Sequence, residues 1–364
     1  MRLHLTPRTR GEASLPGESV LHGVRDLGSR FPDACVREVA VVRARELDVR
    51  ADASGATRVW LALESLQVTG SFKVRGALVA VAALKERTRG KLPHIVSASA
   101  GNHGAGLAYA AKVLGVRATV VVPSSAPRAK RDRIAASGAE VRLAATAHYD
   151  DAEAEAIALA EKEGAYFLSP YDDIDVVAGN GGSLGYEIVR ALGRVPDAVL
   201  APLGGGGLVT GLACALADEA GQDVRGERRR VWGAQSEACP AMAQSLETGR
   251  AVVRLEADQT FADGLEGGIS VRGFARASAT AAGVCVVSEE AIARGMAYAI
   301  RELGVVIEGS AACALAPVLE GLPEPLRAGG DRDGGDVVVV LTGRNVDKDE
   351  IDRALGLADR DLRP

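Results

Sequence analysis

Lysine is nearly missing from this chain. Only seven occur among its 43 basic residues: Lys73, Lys85, Lys91, Lys112, Lys130, Lys162 and Lys348. A lysine with a chemical role must be one of these. Aromatic residues make up only 4%. The five cysteines (Cys35, Cys214, Cys239, Cys285 and Cys313) form no C-x-x-C pair, and the five histidines do not cluster. Both facts argue against a disulfide scaffold or a metal cluster, and predict reduced thiols in a cytoplasmic protein. No apolar run approaches the roughly 18 residues of a membrane span. Arg2, Arg8 and Arg10 lead into no apolar signal-peptide segment. The formal charge of -5 supplies no basic field for nucleic acid.

What is present is ordinary globular material: 364 residues, 47% hydrophobic and 25% charged, enough for about two domains. Residues 1–55 read as polar and irregular, interrupted by Pro7, Pro16 and Pro32. From residue 59 short strands and helices alternate. Strands are predicted at 59–66, 95–99, 118–122, 141–144, 198–202, 231–234 and 337–341. Helices are predicted at 72–85 (capped by Ser71), 102–114, 127–138, 150–163, 182–192, 208–218, 289–303 and 311–319. This alternation predicts α/β layers with parallel sheets, and 337–341, wholly apolar, predicts a strand buried on both faces. Segments 221–230 and 329–335 read as surface loops.

Four segments carry chemistry, each at a predicted strand end. In Gly70-Ser71-Phe72-Lys73-Val74-Arg75-Gly76-Ala77, a lysine beside an aromatic can be desolvated, which lowers its pKa and frees an amine for Schiff-base chemistry. The alternative is a surface lysine on a helix's first turn, although a cation there opposes the helix dipole. Ser97-Ala98-Ser99-Ala100-Gly101-Asn102-His103-Gly104 lies between a strand and a helix, where backbone N–H groups suit a carboxylate. The alternative is a turn capped by Asn102 with His103 on the surface. Leu203-Gly204-Gly205-Gly206-Gly207-Leu208 suits a phosphate nest better than a flexible link, because four glycines have a large entropic cost directly after a buried strand. It is neither a GxGxxG fingerprint nor a Walker loop, which also disfavours a nicotinamide-dependent oxidoreductase. Leu341-Thr342-Gly343-Arg344-Asn345 places a hydroxyl at a strand terminus, either for a ring nitrogen or as a satisfied structural threonine.

Together, S-F-K-x-R-G-A, S-A-G-N-H-G, G-G-G-G-L, A-D-G and a late T-G-x-N, in this order over residues 55–350, resemble the fold-type II pyridoxal-phosphate enzymes, and most closely the threonine/serine dehydratase (ammonia-lyase) group. The resemblance implies a two-domain α/β fold of the tryptophan synthase β type. Its large cofactor-binding domain would span 1–94 and 172–364, and its small mobile domain 95–171. It implies that Lys73 binds the pyridoxal 5'-phosphate aldehyde and acts as base at Cα, with Phe72 against the ring and Asn102 on the 3' oxygen. Gly204, Gly205, Gly206, Gly207 and Leu208 would hold the phosphate, and Thr342 would face the pyridine nitrogen. Gly264 and Glu308 would line the cofactor pocket, and Ser99, Ala100, Gly101, Asn102 and His103 would hold the substrate carboxylate. The implied reaction converts a β-hydroxy amino acid such as L-threonine or L-serine to a 2-oxo acid and ammonia, in a homodimer.

Departures from the family pattern sharpen this. Ala100 stands where similar racemases carry a serine, so elimination is expected with little racemisation. Gln235 stands where metal-dependent members carry a carboxylate and no acid stands at Ala241, so no metal is expected, with Glu237 nearby. Asn180 replaces a common glutamine. Arg344 replaces a common glycine, facing either an acidic substrate or solvent. About 20 residues follow Thr342, so no regulatory domain is expected. Residues 1–55 are expected at a dimer interface or the site's mouth. Alternatives are β- or γ-replacement on the same cofactor, a dehydratase for 3-hydroxyaspartate or an aryl-serine, and a non-catalytic binder, which would have no need of Lys73.

Overall fold

The structure, a computed structural model, describes residues 1–7, 13–99, 101–226, 228–255, 259–327 and 335–360. Ala100, most of the expected loop at 329–335 and one residue of that at 221–230 lie outside this set. Among the described residues, eleven strands form two sheets. They are β1 (Arg2–Leu5), β2 (Val41–Arg43), β3 (Arg58–Leu63), β4 (Ile95–Ala98), β5 (Ala118–Val122), β6 (Glu140–Leu143), β7 (Tyr166–Phe167), β8 (Ala198–Pro202), β9 (Val231–Ser236), β10 (Gly283–Val287) and β11 (Asp336–Leu341). Helices of eight residues or more are α1 (Lys73–Arg87), α2 (Asn102–Leu114), α3 (Arg128–Ala136), α4 (Tyr149–Glu163), α5 (Ser183–Leu192), α6 (Gly207–Glu219), α7 (Ala241–Thr248), α8 (Val271–Thr280), α9 (Glu289–Arg301), α10 (Gly309–Leu319) and α11 (Lys348–Arg360).

The larger sheet has the order β1-β10-β9-β8-β11-β3-β2 and the smaller β6-β5-β4-β7. The smaller is parallel throughout. The larger is parallel inside and antiparallel at both edges, where β1 pairs with β10 and β2 with β3. Both edge strands come from residues 1–55, which the sequence reading left irregular. Their short, half-exposed patterns carry no clear period of two. Leu21, Val24 and Leu27 from the same stretch are buried in a core cluster that also holds residues of α1 and α2. Among the described residues this stretch lines no part of the main cleft, contrary to the expectation at its mouth.

The apolar strand β11 is central. Val337, Val339 and Leu341 pack into one core cluster, Val338 and Val340 into another, so both faces are covered. In the smaller sheet α2 covers one face beside Ile95, Val120 and Val122. The other face, with Val96, Ala98 and Val121, packs on Ala152, Ala156 and Ala160 of α4. Gly115, at a φ of 71°, ends α2 in the left-handed region as its position after Leu114 requires.

Ser71 does not cap α1. The helix starts at Lys73 after Phe72 with no side-chain cap, and Ser71 forms a β-bridge to Gly343. Phe72 N–H donates to Thr342 C=O at 3.1 Å. Tertiary pairing with the end of β11 therefore replaces the local cap. A second anchor is Arg75, 0% exposed. Its guanidinium donates to Glu64 (Nε 2.9 Å, Nη2 2.8 Å), to Glu187 (Nη1 and Nη2, both 2.7 Å) and to Arg37 C=O at 3.0 Å. Burial opposes its charge, but the two carboxylates outweigh that and raise its pKa. Replacing Arg75 with Met leaves Glu64 and Glu187 buried together without a cation. The expected destabilisation is about 3–5 kcal/mol, read from urea unfolding. Adding Glu64→Gln and Glu187→Gln should recover part of the loss.

Candidate active site

The carboxyl ends of β4, β5, β8 and β11 converge on one cleft of about 650 Å³ between the two sheets. Openings of this kind beyond parallel strand ends are where α/β folds bind ligands. Phe72, Lys73, Ser99, Gly101, Asn102, His103, Gly204, Gly205, Gly206, Gly207, Leu208, Gly264, Glu308 and Thr342 all line it. Every expected site residue within the described set is thus brought together.

Lys73 opens α1, where the helix packs on α2. Its ammonium sits 5.1 Å from the Phe72 ring centroid and has no hydrogen-bond partner among the described residues. Desolvation lowers its pKa to about 8, against the pull of Glu308. Glu308 precedes α10 and accepts from Asn102 Nδ2 at 2.8 and 3.0 Å and from Asn345 N–H at 3.2 Å. Desolvation raises its carboxyl to about 7, since these hydrogen bonds offset burial only in part. Asn345 Nδ2 donates to Asn102 Oδ1 at 2.7 Å and to Thr69 C=O at 3.0 Å. Glu308, Asn102 and Asn345 therefore tie the small-sheet helix α2 to the end of β11.

The S-A-G-N-H-G segment divides its labour differently from the expectation. Ser99 Oγ accepts from Gly101 N–H (3.1 Å) and Gly104 N–H (2.8 Å), capping the start of α2. Asn102 is the first helical residue, after Gly101, and does not cap. His103 is buried, not on the surface; Nε2 meets Ser97 Oγ at 3.0 Å, and Ser97 donates to Leu168 C=O at 2.6 Å. Burial, then the charge of Lys73, lowers its pKa to about 3, so His103 is neutral. Its side chain steadies β4, while Gly101, Asn102 and His103 at the start of α2 line the cleft.

The tetraglycine turn caps α6. Gly206 has a φ of 84°, in the left-handed region. A Cβ at Gly205 would lie 2.7 Å from Tyr171 Cβ, so only glycine lets the turn pass this ring. Gly264 N–H donates to Ser310 Oγ at 3.0 Å. These residues fit pyridoxal phosphate. A desolvated, unpartnered amine suits an aldehyde, and a side-chain-free turn at a helix N-terminus suits a phosphate. The buried Thr342 at the end of β11 suits an uncharged ring nitrogen.

Asn180 and Arg344, whose roles the sequence left open, are now placed. Asn180 Oδ1 accepts from Gly76 N–H at 2.9 Å, satisfying the lysine helix. Arg344 hydrogen-bonds Ser65 C=O and does not line the cleft. Gln235 is buried, with Nε2 donating to Leu203 C=O at 2.9 Å and Oε1 accepting from Ala243 N–H at 3.0 Å. Sequence reasoning missed a second ring of cleft residues, namely Lys130, Tyr149, Glu153, Tyr171, Glu266 and Glu350. Lys130 is ion-paired with Asp263 across the cleft. Burial opposes its charge, yet Asp263, Glu350 and Glu308 raise its pKa. Only the scarcity of lysine pointed to Lys130 in advance.

Residues 36–343 match the model of the pyridoxal-phosphate dependent enzyme family. An L-threonine ammonia-lyase of Thermotoga maritima is 36% identical over 82% of this chain and 69% of its own length. The catabolic L-threonine dehydratase of Escherichia coli K12 is 33% identical over 83% of this chain and 87% of its own. Among solved structures, a T.th. threonine deaminase superposes with a TM-score of 0.75 at 34% identity, covering 91% of this chain and 99% of that one. With the lysine, the glycine turn and the terminal threonine all in one cleft, this chain belongs to the pyridoxal-phosphate-dependent enzymes, in the threonine ammonia-lyase (dehydratase) branch.

Proposed function

We propose that this lyase acts on a small, uncharged β-hydroxy amino acid, L-threonine or L-serine, and releases the 2-oxo acid and ammonia. The reading rests on one observation: the desolvated Lys73 amine shares a cleft with the glycine turn, the α2 N-terminus and Thr342. Bound pyridoxal phosphate supplies the electron sink that makes the Cα proton removable. Lys73 would hold the aldehyde and take that proton, its pKa near 8 suiting a base at neutral pH. Residues 204–208 would hold the phosphate through backbone N–H groups. The loop from Ser99 together with the start of α2 as far as His103 would receive the carboxylate. Glu308 keeps Asn102 aimed inward.

The cleft wall favours a neutral side chain. Asp150, Asp263, Glu266, Asp347 and Glu350 line it together with Lys130 and Arg133, and Lys130 is already paired with Asp263. Arg344 is turned away. An acidic side chain such as that of 3-hydroxyaspartate would meet uncompensated carboxylates. Repulsion of about 1–4 kcal/mol at about 4 Å follows from charge–charge interaction between water and an intermediate dielectric.

In our reading residues 95–171 form the small domain, moving against 1–94 and 172–364, with the Asn102–Glu308 and Lys130–Asp263 contacts joining the two. The same reading makes the chain a cytoplasmic homodimer. Five free cysteines, four of them buried, support a reducing compartment, and among the described residues no helix is long and apolar enough to cross a membrane.

Three outcomes test this. First, 2-oxo acid release from threonine or serine needs no second substrate, and kcat/KM for 3-hydroxyaspartate is lower by at least about fivefold, as the lower end of about 1 kcal/mol of repulsion requires. A need for an added nucleophile would mark a replacement enzyme instead. Second, the rate at which apoprotein gains the visible band of bound cofactor rises with pH through about 8, as the Lys73 amine loses its proton. Borohydride then fixes a pyridoxyl group on Lys73, and Lys73→Ala shows neither. Third, Gly205→Ala forces the turn and Tyr171 apart, at a cost of about 1–3 kcal/mol. The expected result is cofactor affinity about tenfold or more weaker, measured by titration, with the fold intact by circular dichroism.

A further inference from the structure

The Tyr149 hydroxyl lines the cleft and is weakly held. It heads α4, and its one hydrogen bond among the described residues, to Ala98 C=O, is 3.4 Å long. Hydroxyl hydrogen bonds ordinarily run at about 2.5–3.0 Å, so this one is barely made. Its acidic neighbour Glu153 does not take it up. Both Glu153 oxygens accept from the Tyr171 hydroxyl, at 2.8 and 2.9 Å. Tyr171 itself is held by its ring against Gly205. A phenylalanine ring would fill the same space, where Tyr149 Cδ1 lies within 3.9 Å of a Cβ built on Gly267, so packing does not explain the hydroxyl.

Its place in the fold says which part of a ligand it meets. Lys73 stands on α1, which packs on α2, and α2 covers one face of the small sheet. Tyr149 leads α4, which covers the opposite face. The two approach the carboxyl end of β4 from opposite sides. On the proposed reading the α2 N-terminus, which lines the same cleft, would take the carboxylate, with Lys73 toward Cα. The direction left for the side chain of the amino acid is toward α4 and Tyr149. Burial and the charges of Glu153 and Asp150 hold the Tyr149 hydroxyl protonated, so it acts as a donor.

We propose that Tyr149 donates a hydrogen bond to the β-oxygen of the bound amino acid and so selects hydroxylated side chains over bare alkyl ones. This rests on the proposed amino-acid chemistry of the cleft. The test is Tyr149→Phe in the holoenzyme, with L-serine and L-alanine as ligands that differ by one oxygen. Binding is read from the change in the visible cofactor band on rapid mixing, before turnover. The dissociation constant for serine should rise about three- to tenfold, the loss of one hydrogen bond. That for alanine should stay within about twofold of the parent, which also reports an intact fold. Equal weakening for both ligands would place the hydroxyl on the carboxylate and overturn the proposal, as would no change for serine. If the parent protein shows no band change with either ligand, the amino-acid reading itself falls, and that result is distinct from the other two.

Discussion

A buried guanidinium with two carboxylates determines where the reactive amine can be. Arg75 lies two residues after Lys73, and its contacts with Glu64, Glu187 and the Arg37 carbonyl tie the start of α1 to the end of β3, to α5 and to the N-terminal stretch. A buried ion pair of this kind adds little net stability over an apolar replacement, but it is costly to break. Its use here is one of position. The first turn of α1 cannot slide or rotate without exposing a buried charge, and so the Lys73 side chain is aimed into the cleft before any ligand arrives.

The charge in the cleft follows from the same economy of water. Lys73 and Glu308 are both desolvated, and their pKa values move toward each other, one down to about 8 and the other up to about 7. Neither is locked into its charged form near neutral pH. His103, closer to the interior, is fully neutral and serves the frame. Groups at the rim do the opposite work. Lys130 keeps its charge because carboxylates surround it, and its pair with Asp263 spans the opening.

The chain disclosed its centre more readily than its edges. Helix α2 and strands β5 and β8 are legible because each is a compact apolar run bounded by Gly or Pro. The inner ring of the cleft is legible because its residues sit within a few positions of those boundaries. The outer ring is not. Tyr149 follows a turn, Glu350 lies in a polar helix after β11, and Glu266 in an irregular loop, and nothing local marks any of them as facing inward. Ser71 misled for a related reason. It has the chemistry of a cap, but the bridge to Gly343 was available only through a contact more than 270 positions away. The edge strands β1 and β2 are short and half exposed, so alternation could not reveal them.

One of those edges bears on how the molecule forms. The outermost ladder joins Arg2 to Val286, and the Thr6 hydroxyl caps it on the Ala281 carbonyl, 275 residues along. During synthesis the leading segment emerges long before its mate. Pairing across so large a sequence separation is slow, and an unmatched strand rim is open to wrong partners meanwhile. The rim waits until β10 has been made, by which time only β11 of the interior strands is still to come.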